Sequence, residues 1–234
     1  MTESEWLECE TAPPLIEALP EPLSVRKLRL FMCGAVRRVW DLLPVECRVA
    51  IEASEGYADG NVSAEECAVG AKRIDQLYEE LAKPWNPDGM TYALSVAADA
   101  THATPNTRER ASGVCYVIEA ARAWVAAEAV ADSEYNAVYD ETTGLEDRAL
   151  ALVVREVFGN PFRPAYFNPA WRTDTVLAVA RRAYDAREFG TLPILADALQ
   201  DAGCDSADLL NHLRDQHAEH VRGCWALDLV LGKE

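Results

Sequence analysis

Basic side chains are scarce in this sequence. Lys and Arg together number 22 against 39 Asp and Glu, which gives a formal net charge of −17. The electric field of a strongly negative protein repels phosphate backbones. Direct binding to nucleic acid is therefore disfavoured, because such binding depends on basic side chains that neutralise phosphates and release their counterions. The acidic residues are spread along the chain, which argues against mimicry of a nucleic acid. We therefore expect another protein as the partner.

Closely spaced cysteine pairs are also missing. The seven cysteines are an odd number, scattered from Cys9 to Cys224, and none forms a Cys-x-x-Cys pair. Secreted disulfide scaffolds have denser and usually even-numbered cysteines. The first residues, MTESEWLECE, are too polar and acidic for a targeting peptide, and no stretch approaches the roughly 20 apolar residues of a membrane helix. We predict a cytoplasmic protein without membrane association, with mostly buried, inert thiols.

Short catalytic signatures are absent from the sequence as well. It contains no glycine-rich phosphate loop, no G-x-S-x-G elbow, no H-E-x-x-H and no Glu-x-x-His pair of the di-iron bundle type. These absences remove most nucleotide-dependent and hydrolytic functions of a helical protein. An enzyme with an unfamiliar site stays compatible with the sequence.

Helical periodicity is what the sequence does contain. Ser63 and Glu66 form a capping box ahead of a long periodic segment, and Thr2 with Glu5 has the same pattern. Alternating β-branched runs, which would indicate strands, are missing. The sequence therefore predicts an all-α, bundle-like fold of about ten helices. Apolar residues recur at helical spacing in the segment 24–43, at Leu28, Phe31, Val36, Val39, Trp40 and Leu43.

The predicted helices leave one good boundary within the chain. Residues 132–144 are polar and turn-prone, so they separate two helical subdomains, 1–132 and 145–234, although one compact unit is also compatible with the pattern. The irregular segment 159–172 contains three prolines. The predicted helices, besides a short one near Pro14–Leu19, are 24–43, 44–57, 63–83, 89–103, 107–131, 145–158, 174–188, 192–202, 206–214 and 220–231.

The densest set of metal-ligand residues lies near the C-terminus. Zinc takes four Cys, His or carboxylate ligands in a tetrahedron, and Cys204, His212, His220 and Cys224 form a candidate structural zinc site. Within a helix, His220 and Cys224 would share a face. The simpler interpretation is two buried thiols and histidines at helix ends, where His⁺ complements the helix dipole. It is favoured because structural zinc sites usually have closer cysteine pairs.

A second candidate site is the aromatic and proline-rich segment that begins at FGNPFRP, residues 158–164. Aromatic side chains interleaved with prolines and an arginine suit a rigid groove or plug for a partner peptide. The alternative, which we favour, is that a long loop buries its own aromatic side chains to anchor itself. The candidate partner-binding residues are Phe162, Arg163, Tyr166, Phe167 and Trp171.

Several segments resemble an uncharacterised protein family of planctomycete bacteria. They are TESEWLECE, RKLRLFMCGAVRRVW, EVFGNPFRP followed by PAW, LPILADALQDAGC and the C-terminal HVRGCWALDLVLGKE. The resemblance covers about half of the chain and is most specific at the C-terminal segment. It implies a bacterial cytoplasmic origin, and it implies no activity, cofactor or catalytic residue.

Two classes of function follow from these patterns. The favoured one is a non-enzymatic helical module that binds another protein, as an adaptor or regulatory subunit. The other is a metalloprotein in which the C-terminal His/Cys cluster holds zinc for structure or for hydrolysis. Whether the protein is an enzyme, and whether zinc is its cofactor, stays open at the level of the sequence.

Overall fold

The structure, a computed structural model, describes residues 1–83, 87–102 and 107–233. Every regular element in these ranges is a helix, which confirms the all-α prediction. Among the described residues, no helix combines the length and apolar character that crossing a membrane requires. The α-helices are α1 (Glu3–Glu8), α2 (Ala12–Ala18), α3 (Val25–Val36), α4 (Val45–Ala58), α5 (Ala64–Leu81), α6 (Gly89–Thr101), α7 (Arg108–Glu128), α8 (Tyr135–Phe158), α9 (Asp174–Asp185), α10 (Leu192–Asp201), α11 (Ala207–Arg214) and α12 (Trp225–Leu231).

Local hydrogen bonds explain where several helices begin. The Ser63 hydroxyl accepts a bond from the backbone N–H of Glu66, whose carboxylate accepts one from the N–H of Ser63, so α5 has the predicted capping box. Thr2 and Glu5 make the same reciprocal pair at α1. The predicted end of the 89–103 helix falls at residue 103, outside the described residues, and the described part of α6 ends at Thr101.

Three helices differ clearly from their predicted bounds. The predicted helix 24–43 is α-helical only over Val25–Val36 and continues as a 3-10 helix over Arg37–Leu42. Helix α8 begins at Tyr135, about ten residues before the prediction, so most of the supposed boundary segment 132–144 is helical. Helix α12 begins at Trp225 instead of residue 220. Gly223 explains the later start, because its φ of +91° is left-handed and incompatible with a continuous right-handed helix.

The chain divides into two compact units. One consists of Glu8–Val154, and the other of Met1–Leu7 together with Arg155–Glu234. The division therefore falls inside α8, and the first seven residues do not group with the segment that follows them in sequence. Both features differ from the predicted subdomains 1–132 and 145–234.

The unit of residues 8–154 has a core formed by α3 to α7. Helices α4 and α5 pack together, as do α6 and α7, and α3 contacts α4, α6 and α7. Close helix packing is possible because small residues lie at the contacts: a Cβ added to Gly70 of α5 would approach the Cβ of Ala50 to 2.9 Å. The largest fully buried side chains here include Leu28, Phe31, Met32, Ile51, Ile74, Leu94 and Ile118.

Arg29 is a buried cation in this unit, and its partners explain its position. Its guanidinium donates hydrogen bonds to the Ser54 hydroxyl at 3.0 Å and to the carbonyl oxygens of Ala100 and His102 at the end of α6. Carbonyls in the last turn of a helix lack intrahelical donors, and they carry partial negative charge. Arg29, on the buried face of α3, thus supplies hydrogen-bond donors to carbonyl groups at the C-terminus of α6.

The second unit has its own hydrophobic core. Helices α9, α10, α11 and α12 pack in sequence-adjacent pairs, and α9 also contacts α12. The core holds Tyr184, Leu195, Leu199, Leu213 and Leu227, each without exposed surface. Trp6 of α1 is buried in this unit and packs edge-on against Phe162, and its backbone carbonyl oxygen accepts a hydrogen bond from the Arg155 guanidinium. The candidate sites of the C-terminal half all belong to this unit.

Candidate metal centre

Four side chains with metal-ligand chemistry converge in the second unit. They are Glu156, His212, His220 and Cys224, and one potential ligand atom from each lies within 4.8 Å of all the others. Three of them belong to the set predicted from the sequence. The fourth member differs: Glu156 stands where Cys204 was expected.

Separate segments of the chain bring these ligands together. Glu156 lies in the last turns of α8, and His212 lies in the last turn of α11. Cys224 is the residue immediately before α12, and His220 lies in the non-helical segment between α11 and α12. The expectation that His220 and Cys224 share one helical face is therefore wrong, because α12 begins only at Trp225. They meet through a turn at Gly223 instead.

Cys204 lies outside the cluster because of the turn that ends α10. Gly203 has a φ of +87°, and the backbone N–H groups of Gly203 and Cys204 donate to the carbonyls of Gln200 and Leu199. This is the hydrogen-bond pattern of a glycine-terminated helix end. The Cys204 side chain is 5% exposed and belongs to the apolar core of the unit. Burial raises the pKa of its thiol, as expected for an unreactive core cysteine.

Three distances in the cluster lie near the edges of a small coordination polyhedron. Nε2 of His212 lies 3.3 Å from Cys224 Sγ and 3.3 Å from Glu156 Oε2. Nδ1 of His220 lies 2.9 Å from Glu156 Oε1. Bond lengths of about 2.0–2.3 Å to zinc place ligand atoms about 3.3–3.6 Å apart in a tetrahedron. These three separations are near those that a shared zinc ion requires, although the two Glu156 distances involve different oxygens. The four ligand atoms spread over as much as 4.8 Å, so the widest of them would have to move closer together on binding.

The position of His212 argues against a Cys–His catalytic pair. In such a pair, one imidazole nitrogen faces the nucleophile and the other is oriented by a carboxylate. Here the thiol and the carboxylate both face Nε2 of His212. One ring nitrogen carries either one hydrogen or one lone pair, so it cannot serve both neighbours in the way that a triad needs. A cation between the three groups would satisfy them all.

Burial gives the cluster unusual electrostatics. Exposed fractions of the side chains are 5% for Glu156, 6% for His220 and 18% for His212, and Cys224 is fully buried. Burial by itself raises the pKa of Glu156, but hydrogen bonds and charge from His212 and His220 outweigh it and hold that pKa below its usual value. Burial and the Glu156 charge raise the pKa of the Cys224 thiol.

The donor set fits a zinc ion on charge as well as on distance. One carboxylate and one thiolate with two neutral imidazoles balance the +2 charge of zinc, so the occupied site is neutral, as a buried site requires. A metal ion deprotonates a coordinating thiol, which reverses the effect of burial on Cys224. Aromatic rings cover the site: the Trp225 ring centroid lies 4.9 Å from that of His212, and the Phe189 centroid lies 6.2 Å from that of His220.

A cleft of about 450 Å³ adjoins the cluster at His220. One side is formed by residues 189–193, at the start of α10. The other side is formed by Leu213 of α11 and by the segment that follows it, including Asp215 and Gln216. His220 thus belongs both to the ligand cluster and to the wall of the cleft.

The aromatic loop divides into anchors and exposed residues. Phe167 and Trp171 are 9% and 6% exposed and pack edge-on at 5.3 Å between ring centroids, so they anchor the loop as the favoured interpretation expects. Tyr166 is 72% exposed. Phe162 is 41% exposed and contacts Trp6, and the exposed Arg163 forms an ion pair with Glu3. The predicted partner-binding residues therefore do not share one environment.

Glu156 is the member of the cluster that the sequence analysis missed. It lies 56 positions before His212, so no local spacing motif includes it. The available signal was its place in the run LVVREVF, where Val153, Val154 and Val157 are buried. An acidic residue on the buried face of a helix needs a partner for its charge, and the histidines supply it.

Comparison of the chain with protein-family models, with curated proteins and with solved structures returns no match. These comparisons therefore assign neither a family nor an activity. The functional argument depends on the geometry of the cluster, the chemistry of its side chains and the surfaces near it.

Proposed function

We propose that this protein binds one zinc ion through Glu156, His212, His220 and Cys224, and that the ion has a structural role. The observation that carries the proposal is the convergence of four zinc-type ligand atoms within 4.8 Å, from separate segments of one buried region. Bound there, zinc would connect the end of α8, helix α11 and the start of α12. In zinc proteins such connections contribute directly to the free energy of folding.

Zinc suits this donor set better than other common ions. Mg²⁺ and Ca²⁺ prefer sites made of oxygen ligands, whereas a thiolate with two imidazoles suits the borderline-soft Zn²⁺. Four protein ligands fill a tetrahedron, and catalytic zinc keeps one position for water or substrate. The cluster therefore favours a structural ion over the zinc-dependent hydrolase that the sequence left open.

A reducing cytoplasmic location is part of this proposal. All seven cysteines are free thiols in the structure, and disulfides are typical of oxidising compartments. A ligand cysteine also has to stay reduced to bind zinc as a thiolate. The resemblance to a bacterial family supports the same location.

The proposal is tested by a matched pair of histidine variants. His220 belongs to the cluster, whereas His217 is exposed in the same interhelical segment and is not one of its members. After removal of metal with a chelator, zinc affinity is measured by competition with a chromogenic chelator. We expect stoichiometric binding to the wild type and to His217→Ala, and a loss of at least about tenfold in affinity for His220→Ala. Equal affinities for the two variants would refute the ligand assignment.

A second candidate function is binding of another protein through the aromatic loop. The observation that favours it is Tyr166, which is 72% exposed although neighbouring Phe167 and Trp171 hold the loop in place. Tyrosine on a rigid support is a common interface residue. A photoreactive amino acid at position 166 is expected to cross-link one defined partner in cells, while the same group at Ile194, which is 59% exposed, does not. Identical products from both positions would contradict a specific surface.

A further inference from the structure

A cluster of three aromatic rings lies on the unit of residues 8–154. The Trp124 ring of α7 packs edge-on against Tyr135 of α8, with 6.5 Å between the ring centroids. Tyr135 and Tyr139, one turn apart on α8, stack with their ring centroids 6.2 Å apart. All three residues are partly exposed, so the cluster reaches the surface of the unit. We call these three rings the aromatic face.

Polar groups of the aromatic face have unused hydrogen-bonding capacity. The hydroxyls of Tyr135 and Tyr139 form no hydrogen bond with another described residue. Trp124 Nε1 and the Oε1 of Glu119, which is 6% exposed, are buried without a partner in the described part of the chain. Burial raises the pKa of Tyr139, and nearby charges, including that of Glu119, add to the shift. Buried polar atoms usually have a partner, so donors and acceptors remain here for a ligand.

The chain around the aromatic face is acidic and contains no cation. Residues 123–147 include seven Asp or Glu and no Lys, Arg or His. Four exposed acids flank the two tyrosines, with Asp132 and Glu134 before them and Asp140 and Glu141 after them. None of these four carboxylates forms an ion pair with another described residue. Their negative charge is therefore not neutralised within the described part of the unit.

Several acidic residues elsewhere in the chain are paired. Residues 1–25 also lack Lys and Arg, but three of their carboxylates form ion pairs at 2.9–3.1 Å with distant arginines: Glu3 with Arg163, Glu10 with Arg148 and Glu21 with Arg108. Arg122, which directly precedes residues 123–147, pairs with Asp41. The unpaired carboxylates beside the aromatic face are therefore a local feature, in addition to being part of the net charge of −17.

Guanidinium groups match this combination of rings and carboxylates. Arginine stacks on Tyr and Trp rings, and its fork of donors pairs with carboxylates in bidentate geometry. Lysine carries the same charge, but its ammonium group is more strongly hydrated and is not planar. Tyr135 and Glu141 are about 9 Å apart along the axis of α8. That length exceeds one small cation and suits several side chains of one peptide segment.

We propose that the aromatic face and its four flanking carboxylates bind an arginine-rich segment of a partner protein. Guanidinium groups of that segment stack on Tyr135 and Tyr139 and pair with the carboxylates. The surface belongs to the unit of residues 8–154, whereas the proposed zinc ligands belong to the other unit. This inference is therefore independent of the proposed function, and chelation of zinc should leave the binding unchanged.

The test uses a fluorescein-labelled arginine-rich peptide, with a lysine-rich peptide of equal length and charge for comparison. Binding to the full chain is measured by fluorescence anisotropy at about 0.15 M salt, where long-range attraction between exposed charges is largely screened. We expect saturable binding of the arginine-rich peptide, about threefold or more tighter than that of the lysine-rich peptide. Spermine, a cation without guanidinium groups, should compete only weakly.

A pair of tyrosine variants tests the aromatic contribution. Tyr139→Leu keeps an apolar side chain but removes the ring, and it should bind the arginine-rich peptide at least about fivefold more weakly. Tyr116 of α7 is 59% exposed and is not a member of the aromatic face, so Tyr116→Leu should bind like the wild type. Circular dichroism checks that both variants are folded.

A pair of double variants tests the local charge. Asp140→Asn combined with Glu141→Gln removes two exposed carboxylates beside the aromatic face, and it should lose at least about fivefold in affinity. Glu52→Gln combined with Glu65→Gln removes the same charge from exposed positions of α4 and α5, and it should bind nearly like the wild type. Because all four positions are exposed, these variants decide the question even if Tyr139→Leu does not fold.

Each contrary outcome overturns a defined part of the inference. Absence of saturable binding, or equal affinities for the two peptides, would overturn recognition of arginine. Equal losses in the double variants would show that net charge alone attracts the peptide. Competition by spermine at the affinity of the peptide would overturn the assignment to a peptide segment. Loss of binding after chelation would contradict the independence from zinc, whereas a protein that binds no zinc but binds the peptide refutes the proposed function alone.

Discussion

Two buried cysteines allow the metal ligand to be identified by single substitutions. Cys224 and Cys204 are 0% and 5% exposed and belong to the same apolar core, but only Cys224 lies within the ligand cluster. Cys224→Ala removes the one thiolate from the proposed site. Cys204→Ala removes a thiol of the same size from the surrounding core.

We expect Cys224→Ala to lose stoichiometric zinc and Cys204→Ala to retain it. Both variants create a small cavity of similar size, so any shared loss of stability, about 1 kcal/mol, reflects packing. Zinc content is measured by elemental analysis after gel filtration in the presence of a weak chelator. Loss of zinc from both variants would restore the ligand set that the sequence suggested, and retention of zinc in Cys224→Ala would contradict the proposed site.

Glu119 in α7 is a second buried carboxyl group with a testable consequence. It is 6% exposed, and its Oε1 has no hydrogen-bond partner among the described residues. Burial and the neighbouring charge of Asp147 raise its pKa from 4.5 to about 8. The folded state therefore holds a proton between about pH 4.5 and pH 8 that the unfolded state releases. Its contribution to stability is full below pH 4.5 and declines as the pH rises to 8.

Glu119→Gln should weaken this decline, because the amide does not titrate. Relative to the wild type, the variant should gain up to about 4 kcal/mol in unfolding free energy between pH 5 and pH 9, because each unit of pKa difference corresponds to about 1.4 kcal/mol. Urea denaturation at several pH values measures the difference. Glu128→Gln, at an exposed position at the end of the same helix, serves as the control. Parallel pH profiles for Glu119→Gln and the wild type would contradict the raised pKa.

The sequence identified three of the four clustered side chains but gave the wrong local geometry. His212, His220 and Cys224 stand out because such residues are rare and close together near the C-terminus. Glu156 is invisible to spacing rules, since its approach depends on how α8 packs against segments far along the chain. Cys204 fits the spacing equally well, and only the glycine turn after α10 places it in the core.

Helix ends show which local rules the fold obeys. At α5, both reciprocal bonds of the Ser63–Glu66 capping box are present. At α11, Ser206 occupies the same N-cap position, but its side chain makes no capping bond. Both serines occupy an N-cap position, but only Ser63 makes the capping hydrogen bond. The two residues therefore form a matched pair.

Ser63→Ala is expected to lower the unfolding free energy by about 1 kcal/mol, the usual effect of removing a bonded N-cap. Ser206→Ala should change it by less than about 0.5 kcal/mol. Chemical denaturation followed by circular dichroism provides both values. A loss at Ser206 equal to that at Ser63 would show that the capping bond is not what matters.

The helices whose bounds differ from prediction show where local rules fail. Residues 135–144 contain Thr, Gly and Asn, which favour turns in isolation, yet α8 includes them. The Tyr135 and Tyr139 rings stack at 6.2 Å, and Tyr135 packs edge-on against Trp124 of α7. These contacts stabilise the first turns of α8, although their residues have low helix propensity. At α12 the helix is shorter than predicted. The apolar pattern favours a helix from residue 220, but the left-handed backbone of Gly223 interrupts it.

At the scale of the whole molecule, the sequence did not predict that the first residues group with the C-terminal half. The segment Met1–Leu7 belongs to the unit of Arg155–Glu234. Asn160 donates a hydrogen bond to the Glu3 carboxylate at 2.8 Å, and the Trp6 ring contacts Phe162. Such pairs lie about 155 positions apart in sequence, and periodicity carries no information on contacts of that range.

Removal of zinc is expected to affect only one of the two units. If the ion connects α8, α11 and α12, chelation should increase amide hydrogen exchange in α9 to α12 and in residues 215–224. Helices α3 to α7 of the other unit should keep their protection. At a zinc concentration about 1,000 times the dissociation constant, the ion contributes about 4 kcal/mol to stability. Uniform loss of protection in both units would contradict a local structural role.

The most direct test of the zinc site is X-ray absorption at the zinc edge of the purified, zinc-loaded protein. The proposed ligands predict one sulfur at about 2.3 Å and three nitrogen or oxygen atoms at about 2.0–2.2 Å. Two or more sulfur ligands, or six oxygen ligands typical of a hydrated ion, would contradict the assignment of Glu156, His212, His220 and Cys224.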